Sequence, residues 1–264
     1  MFIHYGRIIH MTENRTKKRI GTTGVIQILL AISLVFLGIS VYAFYHPQKI
    51  TPASPEPSEE ASAQPTPEVT PLPSHLTDPN SIYVFIDKTH PVAEDFVPSD
   101  LAAPYFNSTG EIIQLKQEAA DHLKAMMNAA AAENIQLVVF AGYISYQTQS
   151  DYYQDRVSLL GEAEASKVIE KPGYSEHQCG IAVDFSSNST SATSVSYAET
   201  DAGKWLYAHA HEYGYILRYP KDKESLTGYS YMPWHYRYIG EEYAKMMYEI
   251  SPDLTLEEFY AINK

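Results

Sequence analysis

The chain has 264 residues, with 19 Lys and Arg against 32 Asp and Glu and a formal net charge of -13. That balance excludes the clustered basic surface that phosphate recognition needs, so nucleic acid is not an expected partner. A single cysteine, Cys179, excludes an internal disulfide framework, so the folded part must hold together through its core.

Not all of the chain can fold together. Residues 1–23 are polar and basic, with Arg7, Arg15, Lys17, Lys18 and Arg19. Met11 offers an alternative start to the same basic leader. Residues 24–45 follow with no charge, and their apolar run is about the 20 residues a bilayer crossing needs. The basic flank places residues 1–23 in the cytoplasm and everything later outside. Val41-Tyr42-Ala43 loosely fits a signal cleavage site, but the apolar run is longer than a signal core, which favours an uncleaved anchor. Residues 46–79 are rich in Pro, Ser, Thr, Ala and Glu. They cannot bury enough apolar surface to offset chain entropy, and their prolines favour an extended spacer.

Residues 80–264 carry the periodicity of a folded domain. SIYVFID, starting at Ser81, reads as a strand, and EDFVPSDL as a loop. Glu111 to Glu133 reads as a helix, since Leu115, Ala119, Leu123 and Met126 or Met127 recur at helical spacing. Gln136–Ala141 reads as a short buried strand. Tyr146 to Glu170 reads as helix interrupted at Gly161. Gly180–Phe185 reads as a strand and Asp201–Tyr213 as a helix. Tyr215–Tyr219 and Tyr231–Tyr238 read as strands, and Glu241–Ile250 and Leu256–Ile262 as closing helices. Strands and helices mix without a βαβ rhythm, which predicts an α+β domain.

One stretch concentrates the chemistry. Gly173 to Phe185, GYSEHQCGIAVDF, follows the pattern S-x-H-x-x-G-x-A-x-D, with six residues between His177 and Asp184. A second histidine, His235, lies far downstream in PWHYRYIG. Two imidazoles and one carboxylate are a sufficient protein ligand set for zinc with one position open, and catalytic sites draw such ligands from distant segments. Alone, a His and an Asp on a strand are more often a satisfied polar pair. Cys179 reads as a small buried hydrophobe rather than a ligand or nucleophile. Tyr143, Tyr146, Tyr152 and Tyr153 cluster near the expected cleft and read as half-buried packing residues.

The pair of motifs, S-x-H-x-x-G-x-A-x-D followed by P-W-H-x-R-Y, resembles the zinc D-alanyl-D-alanine carboxypeptidases of the VanY type. EDFVPSDL and GYILRYPKDKESLTGY are similar to the family's flanking segments. The resemblance covers roughly residues 82–250. It implies a compact α+β metallopeptidase domain with a central antiparallel sheet flanked by helices, here preceded by one transmembrane helix. It implies Zn2+ held by His177, Asp184 and His235. Ser175 would hydrogen-bond the substrate and Gln149 would sit near its cleft. The implied substrate is a peptidoglycan stem peptide ending in D-Ala-D-Ala, cut outside the cell.

Two positions depart from the family. Its general-base glutamate, three residues before the second histidine, is Met232 here. Its arginine in G-Y-R-S-Y is Ile144. A thioether cannot move a proton and an alkyl group cannot stabilise an oxyanion. General-base transfer is worth about 10²–10⁴ in rate and one oxyanion donor about 10²–10³. Glu176, beside His177, reads as a solvated side chain rather than a substitute base. Two readings follow: an enzyme of low turnover, or a zinc-bearing pseudoenzyme that binds wall peptides or a partner.

Overall fold

The computed structural model describes residues 72–106, 112–186 and 194–262. All lie in one unit, Val69–Lys264. The expected cytoplasmic segment and membrane anchor fall outside the described residues. Among the described residues, no helix is long and apolar enough to cross a membrane.

The centre is a four-stranded antiparallel sheet. Its strands are β3 (Val138–Ala141), β4 (Ala182–Ser186), β5 (Tyr215–Leu217) and β6 (His235–Tyr238), in the order β3-β4-β6-β5. A separate two-stranded sheet pairs β1 (Leu101–Phe106) with β2 (Ile112–Lys116). The ladder between them slips between Ala102 and Tyr105, around Pro104, which has no N–H to donate. The domain is α+β, as its mixed pattern predicts.

The helices, in chain order, are α1 (Ser74–Thr77), α2 (Gln117–Ala132), α3 (Tyr146–Leu160), α4 (Glu162–Val168), α5 (Asp201–His209), α6 (Glu224–Thr227), α7 (Glu241–Ile250) and α8 (Leu256–Ile262). Packing starts a little before Ser81, because α1 buries Leu76 against Phe85, Met247 and Phe259. Helix α2 lays Ala119, Leu123, Met126 and Ala130 along one stripe against Val139, Val183, Phe185 and Tyr236. That stripe is the helical periodicity seen in the sequence. The α3–α4 break falls at Gly161, as expected.

Three segments differ from the sequence reading. Strand β6 starts only at His235, not Tyr231, because the chain turns at residues 233–234, with His235 N–H donating to the Met232 carbonyl. Residues 81–87 form no strand. Phe85 N–H goes to the Leu76 carbonyl, and the carbonyls of Ile82, Val84 and Ile86 accept from the guanidiniums of Arg237 and Arg218. Side chains thus satisfy backbone groups that a strand would satisfy by pairing. The predicted helix from Glu111 is shortened, because Ile112–Lys116 is strand β2 and the helix starts at Gln117. Leu115 is buried either way, so its helical spacing did not reveal the switch.

Candidate metal centre

The site forms where three adjacent strands meet the S-x-H turn. Glu176–Cys179 is one turn of 3-10 helix, closed by Gly180 at φ 66. A side chain there would adopt a strained left-handed conformation and meet the Lys116 amide at 3.1 Å. The chain then enters β4, which carries Asp184. In the β4–β6 ladder Asp184 is the register partner of His235. Directly opposed residues in an antiparallel pair project from the same face, so the pairing itself brings this carboxylate and this imidazole together.

The distances follow. His235 Nδ1 lies 3.0 Å from Asp184 Oδ1, and His177 Nε2 lies 3.4 Å from the same oxygen. The two rings are perpendicular, with centroids 4.9 Å apart. One ligand atom from each residue lies within 4.8 Å of the others. The far side of the His177 ring is held. His177 Nδ1–H donates to the Gly142 carbonyl at 2.6 Å, which leaves Nε2 its lone pair facing Asp184. His235 Nε2 lies 3.6 Å from Glu176 Oε2. Holding the outer nitrogen of an imidazole is the usual support of a metal-binding histidine, and His177 has it, whereas His235 Nε2 makes no hydrogen bond within the protein.

The donor set suits a divalent cation. Burial works against a charged imidazole, yet the neighbouring Asp184 and Glu176 carboxylates push His235 up to about 10. Burial also opposes ionisation of Asp184, but His177 and His235 outweigh it and hold the carboxyl below its usual range. The pocket favours positive charge, and a cation can supply it in place of the proton.

Glu176 is not the solvated side chain expected from its sequence. It is fully buried. Its Oε1 accepts from Arg218 Nε and Arg237 Nη1, both at 2.8 Å. Burial opposes its charge, but the two guanidiniums hold it well below the carboxylate range. In a strand, neighbours of His177 would point to the opposite face, but Glu176 sits in a 3-10 turn, which turns it inward. A carboxylate committed to two arginines is not a free base.

The remaining expected residues are placed as follows. Ser175 is buried, and its hydroxyl has no protein partner. Gln149 is buried on α3 and donates from Nε2 to the Glu170 carbonyl at 2.7 Å. Ile144 N–H donates to the His177 carbonyl at 3.3 Å, so its side chain stems from the site's edge. Met232 is buried with Tyr219 and Tyr229. Its carbonyl accepts from His235 N–H in the turn that opens β6. Cys179 is buried among Val84, Ile86 and Ile181, and burial pushes its thiol up to about 12, which leaves no thiolate for nucleophilic chemistry. Tyr153 is buried and Tyr152 exposed, with Tyr143 and Tyr146 half-buried. Sequence reasoning missed the Gly142 carbonyl, because a backbone acceptor carries no residue signature.

Fold and site together define a domain of the zinc-peptidase kind, with a His/Asp/His cluster at the heart of an antiparallel sheet. The family profile "VanY: D-alanyl-D-alanine carboxypeptidase" matches residues 112–241. YodJ of Bacillus subtilis (strain 168), whose name provisionally makes it a carboxypeptidase, is 40% identical over 190 residues, 70% of this chain and 69% of that protein. The solved structure of LdcB, an LD-carboxypeptidase described for peptidoglycan recognition, superposes with a TM-score of 0.64 at 40% identity, over 69% of this chain and 87% of that one. A VanY D,D-pentapeptidase from a VanB-type vancomycin-resistance cassette, with a glutamate replaced by alanine and in complex with Zn(II), gives 0.56 at 28% identity, over 67% and 97%. The VanYB structure in complex with D-alanine-D-alanine gives 0.58 at 28% identity, over 69% and 98%. The chain belongs to the VanY D-alanyl-D-alanine carboxypeptidase family.

Proposed function

We propose that this protein is a zinc carboxypeptidase that releases D-alanine from peptidoglycan stem peptides ending in D-Ala-D-Ala. Residues 24–45 anchor it in the cell membrane, residues 46–71 space it from the bilayer, and residues 72–264, which include the packed helix α1, work on the extracytoplasmic side. The observation that carries the reading is the convergence of His177, Asp184 and His235 on one point, with the His177 imidazole oriented from behind by the Gly142 carbonyl. The Zn(II) and D-alanine-D-alanine in related structures support the metal and the ligand class.

His177, Asp184 and His235 hold the zinc, which when bound polarises the scissile carbonyl and acidifies water. Ser175 offers its buried, unpartnered hydroxyl to the peptide. Gln149 shapes the same wall by tying α3 to residue 170. Turnover runs below that of family members that keep both groups, because Met232 and Ile144 replace the proton carrier and the charge stabiliser.

These same two residues favour a second reading, a zinc-bearing pseudoenzyme that binds wall peptides without cutting them. One assay separates the two. The full chain, loaded with zinc, is incubated with a stem pentapeptide and free D-alanine is measured. The enzyme reading expects release above that of a His177→Ala control. Binding of D-Ala-D-Ala with no release above control would leave the pseudoenzyme.

A further inference from the structure

Among the described residues, Glu170 and Glu176 are the two buried glutamates. Glu176 gives Oε1 to its two arginines, which fix it in place, while its Oε2 is buried without a hydrogen-bond partner. Glu170 is 6% exposed, and its Oε1 is buried with no partner. A carboxylate oxygen left so is costly to bury, which marks it for a partner that the protein itself does not supply.

Hydrogen bonds fix where Glu170 lies. Its carbonyl accepts from Gln149. Three residues earlier, the Lys167 carbonyl accepts from Ser230 N–H at 2.8 Å, which pins the segment leading to Met232 against the end of α4. Met232 N–H donates to the Tyr219 carbonyl, and its side chain packs with Tyr219 and Tyr229. The Tyr219 ring lies 4.9 Å from Tyr229 and 5.0 Å from His235, centroid to centroid. The charge of Glu170 bears on this group, since it acts on both tyrosines and on His235. The vacated glutamate position lies in an aromatic cluster beside a proposed metal ligand, and the segment that carries the unpartnered carboxylate is tied by its backbone to the strand leading into that position.

We propose that Glu170 supplies the carboxylate that position 232 lacks, as the proton carrier of peptide hydrolysis. This rests on the zinc carboxypeptidase reading. In the step, a water oxygen bonds to the scissile carbonyl carbon and the C–N bond breaks. Glu170, directly or through one water, takes a proton from the attacking water and passes it to the leaving nitrogen. Both water protons end on that nitrogen, giving a shortened peptide carboxylate and D-alanine as its ammonium form. No oxidant or further reactant is needed.

The test compares wild type, Glu170→Gln, Glu170→Asp, Glu170→Gln with Met232→Glu, and His177→Ala, all as the full chain. Four quantities are measured: zinc content, affinity for D-Ala-D-Ala, kcat and KM for D-alanine release from a stem pentapeptide. Glu170→Gln is expected to keep its zinc and its D-Ala-D-Ala affinity within about threefold, while kcat falls at least about 100-fold. Glu170→Asp should fall between, and adding Met232→Glu should restore turnover to Glu170→Gln. Three outcomes overturn the proposal: an unchanged kcat in Glu170→Gln, a change confined to KM or affinity, or no rescue by Met232→Glu. A wild type no faster than His177→Ala fails the enzyme reading itself, and the proposal with it.

Discussion

Replacing Glu176 by alanine should destabilise the fold far more than any surface ion pair. In the native chain one buried carboxylate neutralises two buried guanidiniums, with 2.8 Å contacts to each. Without it Arg218 keeps the Glu257 carboxylate at 2.8 and 3.0 Å. Arg237 keeps only the carbonyls of Ile82, Val84 and Tyr238 and has no anion left. Removing one partner of a buried ion pair costs about 3–5 kcal/mol. For a domain of this size that lowers Tm by about 6–20 °C, at about 2–4 °C per kcal/mol. Thermal unfolding of the full chain by circular dichroism measures the shift. Glu164→Ala is the control, because the Glu164–Lys167 pair is exposed and worth less than about 1 kcal/mol. The folded carboxyl of Glu176 is held below its ordinary 4.5, so its stabilisation is complete above that pH. It is lost only as pH falls toward the lower folded value, and the gap between wild type and variant should narrow only in that acid window. A Glu176→Ala shift no larger than that of Glu164→Ala would refute the reasoning.

Ile144→Arg returns the family's charge stabiliser and should raise kcat by about 10²–10³; an unchanged rate would mean this position does not limit turnover. Gly142→Ala should weaken zinc binding by about 10–100-fold, the usual cost of disturbing a ligand's outer support. A Cβ there would meet the Gln114 carbonyl at 2.5 Å and displace the carbonyl that holds His177; competition with a chelator reads the affinity. Cys179→Ala should keep its peptide activity, and native Cys179 should resist alkylation at pH 8 until the chain is unfolded, since burial pushes the thiol up to about 12.

The convergence of the candidate residues was legible because its chemistry is written in side chains. His177, Asp184 and His235 stand out by type and by motif, and the Asp184–His235 register supplies the rest. Helix α7 was equally plain, running over Glu241–Ile250 as its pattern predicts. What escaped depends on distant backbone. Residues 81–87 look like a strand by composition, but their carbonyls are taken by Arg218 and Arg237, more than 130 residues away in sequence. The role of Glu176 needed the same two arginines to be seen beside it. β2 runs directly into α2, so the apolar spacing through Leu115 and Ala119 fitted one helix as well as a strand followed by a helix.

The central claim is that three side chains from distant segments hold one divalent cation. Native mass spectrometry of the zinc-loaded chain, beside His177→Ala, Asp184→Asn and His235→Ala, tests it most directly. One zinc per wild-type chain, lost in each folded variant, is the predicted result. A wild type that binds no zinc, or variants that bind it equally well, would contradict the account.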